Sequence, residues 1–204
     1  MKLVLASQSP RRKELLLDAG YEFTVSTVKV SEIFDESLNP SDVPSHLATI
    51  KAKACVEQHK ELKKEGFLIL AADTLVLLGD QILGKPGNAA EAADFLRRLS
   101  GKTHRVITGL ALLPSGPRST QVWTASEVTE VKFRDLSAVD IEAYVDSGEP
   151  MDKAGAYAIQ GEGGKFVSSF SGSWSNVVGL PLERLERALS ENGWTVGRGK
   201  PQKS

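Results

Sequence analysis

Residues 3–16 read LVLASQSPRRKELL, and within them Ser7, Ser9, Arg11 and Arg12 crowd two hydroxyls and two guanidinium groups together. The same stretch has the grammar of a helix start, since Ser9 is a favoured N-cap and Pro10 suits a first helical turn. A helix N-terminus presents unsatisfied N–H groups and the positive end of the helix dipole. Hydroxyls and guanidinium groups placed there make a site for phosphate or carboxylate. The bland alternative is a solvated first turn with an ordinary Ser cap. Basic residues in a first turn oppose the dipole, however, a local cost without structural return, so the anion site is the stronger reading.

Asp73 is the second candidate. It interrupts LILAADTLVLL, which is apolar on both sides. A carboxylate there is expensive unless it is paired, binds metal or opens into a cleft, and this favours function over a strand-end cap. Lysines form a third group: Lys51 and Lys53 in HLATIKAKA, Lys85 in LGKP and Lys153 in DKAGAY. One lysine is most often a solvated residue; several together suit a polyphosphate. Glu36 and Asp152 could add carboxylates for a divalent ion, because Mg2+ takes few protein carboxylates and completes its shell with water and phosphate oxygens. The fourth feature is DKAGAYAIQGEGG, residues 152–164, whose small residues surround the amide of Gln160. It reads equally as a ligand-facing loop and as a tight connection.

Other chemistries are set aside. No G-x-S-x-G elbow is present, and neither C-x-x-C nor H-E-x-x-H occurs. Gly101-Lys102-Thr103 resembles the end of a phosphate-binding P-loop, but the upstream glycine position holds Leu96. His46, His59 and His104 are scattered and read as structural or exposed.

The elements that must position these residues follow from the pattern of apolar residues. A buried strand is expected at 2–6, then a helix to Ala19 stopped by Gly20, a strand near 22–28, and a polar loop over 29–44. A helix is expected over 45–64. FLILAADTLVLLGDQIL predicts a strand broken at Asp73-Thr74, followed by a hairpin around Gly79-Asp80. A helix over 88–99 precedes two strands, THRVITGLALL and STQVWTASEVTEVKF. Ser137 with Asp140 predicts a capping box, with Leu136 and Ile141 as the staple. KFVSSFSG reads as a strand and 181–189 as the last helix. Strands and helices alternate around a central hairpin, so the expected class is α/β with a mixed sheet.

The 204 residues suffice for one sizeable core, expected over 1–196, with GRGKPQKS at 197–204 as a disordered tail. A net charge of -1 argues against a nucleic-acid coat. The single cysteine, Cys55, allows no internal disulfide and reads as a buried helix residue. No signal peptide or membrane-length apolar run is seen, so no membrane partner is expected and the default is a soluble cytoplasmic protein.

In order, LASQSPRRKELL, KAKA, AADTLVLL, LGKP, FLRRLSGKTHRVITG, EVTEVKF, DKAGAYAIQG and VVGLPL cover nearly the whole chain. Together they resemble the Maf family of nucleoside triphosphate pyrophosphatases. Members carrying DKAGAYGIQG are those associated with dTTP and UTP; Ala158 stands here where Gly is usual. The resemblance implies a two-lobed α/β fold with a mixed sheet flanked by helices and a central substrate cleft. It implies hydrolysis of a triphosphate between the α and β phosphates, a divalent metal (Mg2+, with Mn2+ as the alternative) and a homodimer. It places the general base at Asp73 and substrate discrimination at Arg11, Thr74 and Gln160. Phosphate contacts fall to Ser7, Ser9, Arg12, Lys51 and Lys85, with Lys153 as a further contact. The acidic residue of VSEIFDESLNPSD is Glu36, with Glu32 as its competitor. Sequence alone leaves open whether Asp73 is a base or a metal ligand. Two rival functions share this machinery: a house-cleaning enzyme for non-canonical nucleotides, and a nucleotide-binding regulator of cell division or septum formation.

Overall fold

A computed structural model describes residues 1–30, 37–116 and 121–199. The strands and helices build an α/β structure around a mixed seven-stranded sheet. The strand order is β2 (Phe23–Val25), β1 (Lys2–Leu5), β3 (Phe67–Leu78), β5 (Thr103–Pro114), β6 (Trp123–Phe133), β7 (Val167–Ser171), with the short β4 (Gln81–Leu83) paired to β3. The chain divides into two compact units, the first drawn from Met1–Asp73, Thr108–Glu127 and Gly179–Ser204, the second from Thr74–Ile107 and Val128–Val178.

In the first unit, β1 (Lys2–Leu5) is buried from Leu3 onward, as its unbroken apolar run requires. Helix α1 (Pro10–Asp18) begins at the expected Ser9 cap, and Gly20 leaves it with φ 75°. The second strand is shorter than expected: β2 is Phe23–Val25, parallel to β1 with Leu5 opposite Val25. Helix α2 (Val43–Gln58) starts two residues earlier than expected and stops six earlier. Pro44 is tolerated in its first turn, where a missing N–H costs nothing. At the other end His59 turns extended and its Nε2 meets the Thr27 carbonyl at 3.1 Å, so Lys60–Lys63 forms a separate 3-10 turn.

Strand β3 (Phe67–Leu78) corrects the expected break at Asp73-Thr74: it runs through both residues without interruption. The strand is buried along nearly its whole length, and its charge is compensated from outside the strand, so nothing forces the backbone to bend away. The face of α2 against the sheet is made of small side chains, Ala48, Ala52 and Cys55, packed with Val4, Ala6, Ile69, Ala71 and Ala111. Residues 197–199 correct the expectation of a disordered tail. Glu22 N–H donates to the Gly197 carbonyl at 3.0 Å, Gly199 N–H to that of Gly20 at 2.8 Å, and Arg198 stacks on the Tyr21 ring. Residues 200–204 lie outside the described chain. Helix α6 (Leu182–Glu191) ends two residues later than expected.

The second unit continues from the Gly79-Asp80 turn into β4 (Gln81–Leu83), antiparallel to β3 as expected for a hairpin. Helix α3 (Ala89–Leu99) is capped by Asn88 and buries Ala92, Phe95, Leu96 and Leu99, one face of a 3.6-residue period. Strand β5 (Thr103–Pro114) is buried along nearly its whole length and β6 (Trp123–Phe133) alternates from Val128 onward; residues 108–114 and 123–127 of these strands belong to the first unit. Helix α4 (Ala138–Asp146) shows both halves of the capping box at Ser137 and Asp140. Strand β7 is Val167–Ser171; the residues before it, Glu162–Phe166, form a 3-10 turn rather than more strand. Helix α5 (Trp174–Val178) was not expected, because five residues carry too little periodicity to be seen; Asn176 N–H donates to Ser173 Oγ at its start. No described helix is long and apolar enough to cross a membrane.

Within this second core His104 is buried, edge-on to Phe133 and Tyr157, and its Nε2 pairs with the Tyr157 hydroxyl at 2.8 Å. Burial lowers its pKa from 6.5 to about 4. The unfolded chain therefore takes up a proton below pH 6.5 that the folded chain refuses until about pH 4. Stability is fully present above pH 6.5 and is lost as pH falls through that window, by about 3 kcal/mol for this residue. Urea titrations of the wild type and His104→Gln between pH 4 and 7 should show a flatter acid limb in the variant. Identical limbs would assign the acid sensitivity to other groups.

Candidate active site

In the first unit the connection from β1 through α1 leads to β2 on one side, while α2 leads to β3 on the other. Both neighbours are parallel to β1. Such a reversal opens a crevice beyond the carboxyl ends of the two central strands, the place where open α/β sheets bind ligands. Leu5 is paired with Leu70, so Ser7 follows the end of β1 beside the stretch of β3 that reaches Asp73.

Three sequence-predicted residues are joined at this edge. Ser7 Oγ accepts from the Ser9 N–H and from Arg12 Nη1, each at 3.2 Å. Both contacts use the oxygen's lone pairs, so the hydroxyl proton is the part of Ser7 that can meet an anion. Ser9 Oγ caps α1 by accepting from the Arg12 N–H at 3.5 Å, and the first turn contains no acidic residue to compete with a bound anion. Arg12 Nε donates to the Gly179 carbonyl at 2.8 Å, which ties the guanidinium to a residue 167 positions away. Arg11 is half-buried, and its Nε is a buried donor without a hydrogen-bond partner.

Lys51 and Asp73 form the second cluster. Lys51 Nζ lies 2.5 Å from Asp73 Oδ1, and the two side chains are only 13% and 10% exposed. The pair requires α2 to lie close against the sheet. Gly109 on β5 provides that approach: a Cβ there would fall 2.1 Å from the Ser45 nitrogen. Lys53, two residues from Lys51, is exposed on the helix surface.

The second unit holds the remaining predicted residues. Thr74 is half-buried and faces away from Asp73, as consecutive strand residues must. Lys85 is exposed, in a segment pinned by the Gly155 N–H donating to the Gly84 carbonyl at 3.0 Å. Lys153 donates to the Glu149 carbonyl at 2.8 Å and to the Asp152 carboxylate, so these two predicted residues are partners of one another. Gln160 is exposed on a turn closed by the Gly161 N–H donating to the Ala158 carbonyl at 3.3 Å. Ala158 is not among the positive-φ residues, so its methyl group needs no strained backbone; Ala156, at φ 58°, is the described non-glycine residue that does. Glu36 and its competitor Glu32 lie outside the described residues.

Sequence reasoning missed the partners that hold these groups: Gly179 under Arg12, His104 behind Tyr157, and Glu149 with Tyr144 beneath the Gln160 turn. None carries a local signature, because each acts on a residue distant in the chain.

The model of the Maf-like protein family matches residues 2–192. The chain belongs to the Maf family. It is 46% identical over 189 residues to a dTTP/UTP pyrophosphatase of Bdellovibrio bacteriovorus, covering 93% of this chain and 97% of that protein. A dTTP/UTP pyrophosphatase of Symbiobacterium thermophilum is 42% identical over 198 residues, 97% of both chains. One from Bacillus thuringiensis is 45% identical over 190 residues, 93% of this chain and 95% of the relative. These Maf-family matches extend across both compact units rather than one motif.

Removing one member of a buried ion pair leaves the other charge uncompensated, at a cost of about 3 kcal/mol or more. Lys51→Ala, which strands the Asp73 carboxylate, and Asp73→Asn, which strands the Lys51 ammonium, should therefore each lower unfolding stability by about that amount, and the double variant should cost less than the two losses added. Strictly additive losses in urea titrations would show that the pair is not what makes the Asp73 position tolerable.

Proposed function

We propose that the chain is a nucleoside triphosphate pyrophosphatase acting on dTTP and UTP, releasing the monophosphate and pyrophosphate. The observation that carries the reading is the buried Lys51–Asp73 pair on β3, just past the last residue that β3 pairs with β1, in the same unit as the Ser7–Ser9–Arg12 helix entry. The names and near full-length similarity of the relatives support the substrate class.

In this reading the triphosphate meets Ser7, Ser9 and the first N–H groups of α1. Arg12, Lys51 and Lys85 offset charge growing on the departing pyrophosphate, and Lys153 is a further cation for the phosphates. Asp73 orients the attacking water and accepts its proton as the new oxygen–phosphorus bond forms at the α-phosphorus. The bond from that phosphorus to the bridging oxygen breaks, and the oxygen leaves with pyrophosphate. Arg11, Thr74 and Gln160 discriminate the substrate. Uracil and thymine present a carbonyl beside an N–H, which the donor and acceptor of one amide match; cytosine presents the opposite pattern.

Among the described residues no three His, Cys, Asp or Glu side chains gather as a metal cage. That donor set fits an ion that arrives with its substrate, held by one or two carboxylates and completed by phosphate oxygens and water. Glu36 and Asp152 are the acidic residues that would hold it, with Asp73 as a ligand in the alternative where it does not act as the base; loss of nucleotide binding in Asp73→Asn would favour that alternative. A bound Mg2+ would supply positive charge to the phosphate oxygens. A cytoplasmic homodimer completes the proposal, on the strength of the family resemblance.

Pyrophosphate release should be followed over canonical and modified triphosphates, with Mg2+ and with EDTA, for the wild type and Asp73→Asn. Metal-dependent release from dTTP and UTP is expected, falling about 10^2- to 10^4-fold in the variant. Nucleotide affinity in Asp73→Asn should stay within about tenfold. Release confined to a modified nucleotide would move the specificity, and binding without any turnover would turn the reading to a regulator.

A further inference from the structure

Gln160 is an exposed residue in a glycine-rich segment, yet selecting a base by hydrogen bonds requires an amide whose position is fixed. The backbone on both sides of it is held by one carboxylate and one phenol. Glu149 Oε1 accepts from the Tyr144 hydroxyl at 2.8 Å and from the Gly163 N–H at 3.3 Å, while Oε2 accepts from the Glu162 N–H at 3.1 Å. Tyr144 in turn accepts from the Ala158 N–H at 3.3 Å, on the other side of the turn. The Ala158–Gly161 turn that carries Gln160 is thus tied before and after that residue.

The fit is close. A Cβ at position 161 would fall 2.3 Å from Glu149 Oε1, and one at 163 would fall 2.6 Å from the Tyr144 hydroxyl. Glycine at these positions lets the backbone wrap the carboxylate. Glu149 is itself seated by α4, which ends just before it and presents Tyr144 from its buried face. Burial works against the Glu149 charge, but the hydrogen bonds from Tyr144, Glu162 and Gly163, with Lys153 nearby, hold its carboxyl below the usual carboxylate range.

We propose that Glu149, acting with Tyr144, is a positioning residue for base selection: it fixes the turn that aims the Gln160 amide at the carbonyl and N–H edge of a pyrimidine. The inference rests on the reading of Gln160 as the base-discriminating residue. Glu149→Gln keeps the shape but turns one acceptor into an NH2 group facing a donor. Tyr144→Phe deletes only the hydroxyl and gives the same test should the first variant fold poorly.

The measurement is the ratio of kcat/KM for UTP to that for CTP, in Glu149→Gln, Tyr144→Phe, Gln160→Ala and the two double variants with Gln160→Ala. The expected result is a ratio reduced roughly tenfold by either positioning variant alone, with no further fall once Gln160 is absent. A ratio unmoved by both positioning variants, while Gln160→Ala moves it, would overturn this inference and leave the base-reading role standing. Equal falls with and without Gln160 would also overturn it, by showing a general loosening of the unit. A ratio unmoved by Gln160→Ala would remove the base-reading role and the inference with it.

Discussion

A carboxylate in the middle of a strand buried on both faces needs a cation beside it, and much of the first unit can be understood from that requirement. Asp73 is such a carboxylate and Lys51 is the cation. For a lysine on a helix to reach the strand, the helix must lie close. Large side chains between them would hold it off; Ala48, Ala52 and Cys55 do not. Gly109 removes the last obstacle where the start of α2 passes β5. The composition of α2, with so many small residues on its buried face, is thus a consequence of where one charge sits. It is also why an acidic residue can occupy β3 without breaking it.

The second unit solves a different problem. Its Gly- and Ala-rich segment has little side-chain surface to pack, so hydrophobic burial alone gives it no unique shape. Polar groups supply the shape instead. Tyr157 anchors one point on buried His104, Gly155 is tied to the Gly84 carbonyl, and Glu149 gathers the N–H groups beyond Gln160. The His104–Tyr157 bond is buried and the Gly163 N–H bond to Glu149 is part-buried, so there a donor left unmade would cost more than the bond itself contributes. Small residues and a few satisfied polar anchors together give the segment one shape without bulky side chains.

What could be read in the sequence divides along the same line. Features encoded within one turn or one strand were legible: the Ser9 cap, the Ser137–Asp140 box, the Gly79-Asp80 hairpin and the buried run of β1. Asp73 was legible as an anomaly, because a charge inside an apolar run is visible without knowing its partner. The partner itself was not fixed by spacing, since Lys51 is 22 residues away and one of several lysines. The expected break at Asp73 failed for the same reason: the strand's tolerance of the charge depends on a helix that the local pattern does not describe. Glu149 left no trace at all. It stands before a proline at the exit of a helix, and its three donors come from residues 5 to 14 positions away.

The two cations of the first unit also differ in kind, and the difference follows from their geometry. Arg12 is a planar group whose donors point in fixed directions, and it spans Ser7 Oγ and the Gly179 carbonyl at once. A lysine could not hold both with one ammonium group in the same directions. Arg12 therefore fixes the helix entry against the start of the C-terminal segment while keeping its charge. Lys51 is a compact charge on a flexible stem, suited to remain against a carboxylate oxygen as the negative charge around it changes. Under the proposed function, in which several phosphates are bound and charge shifts during cleavage, the two would divide the work: one cation sets the frame, and one can follow the charge.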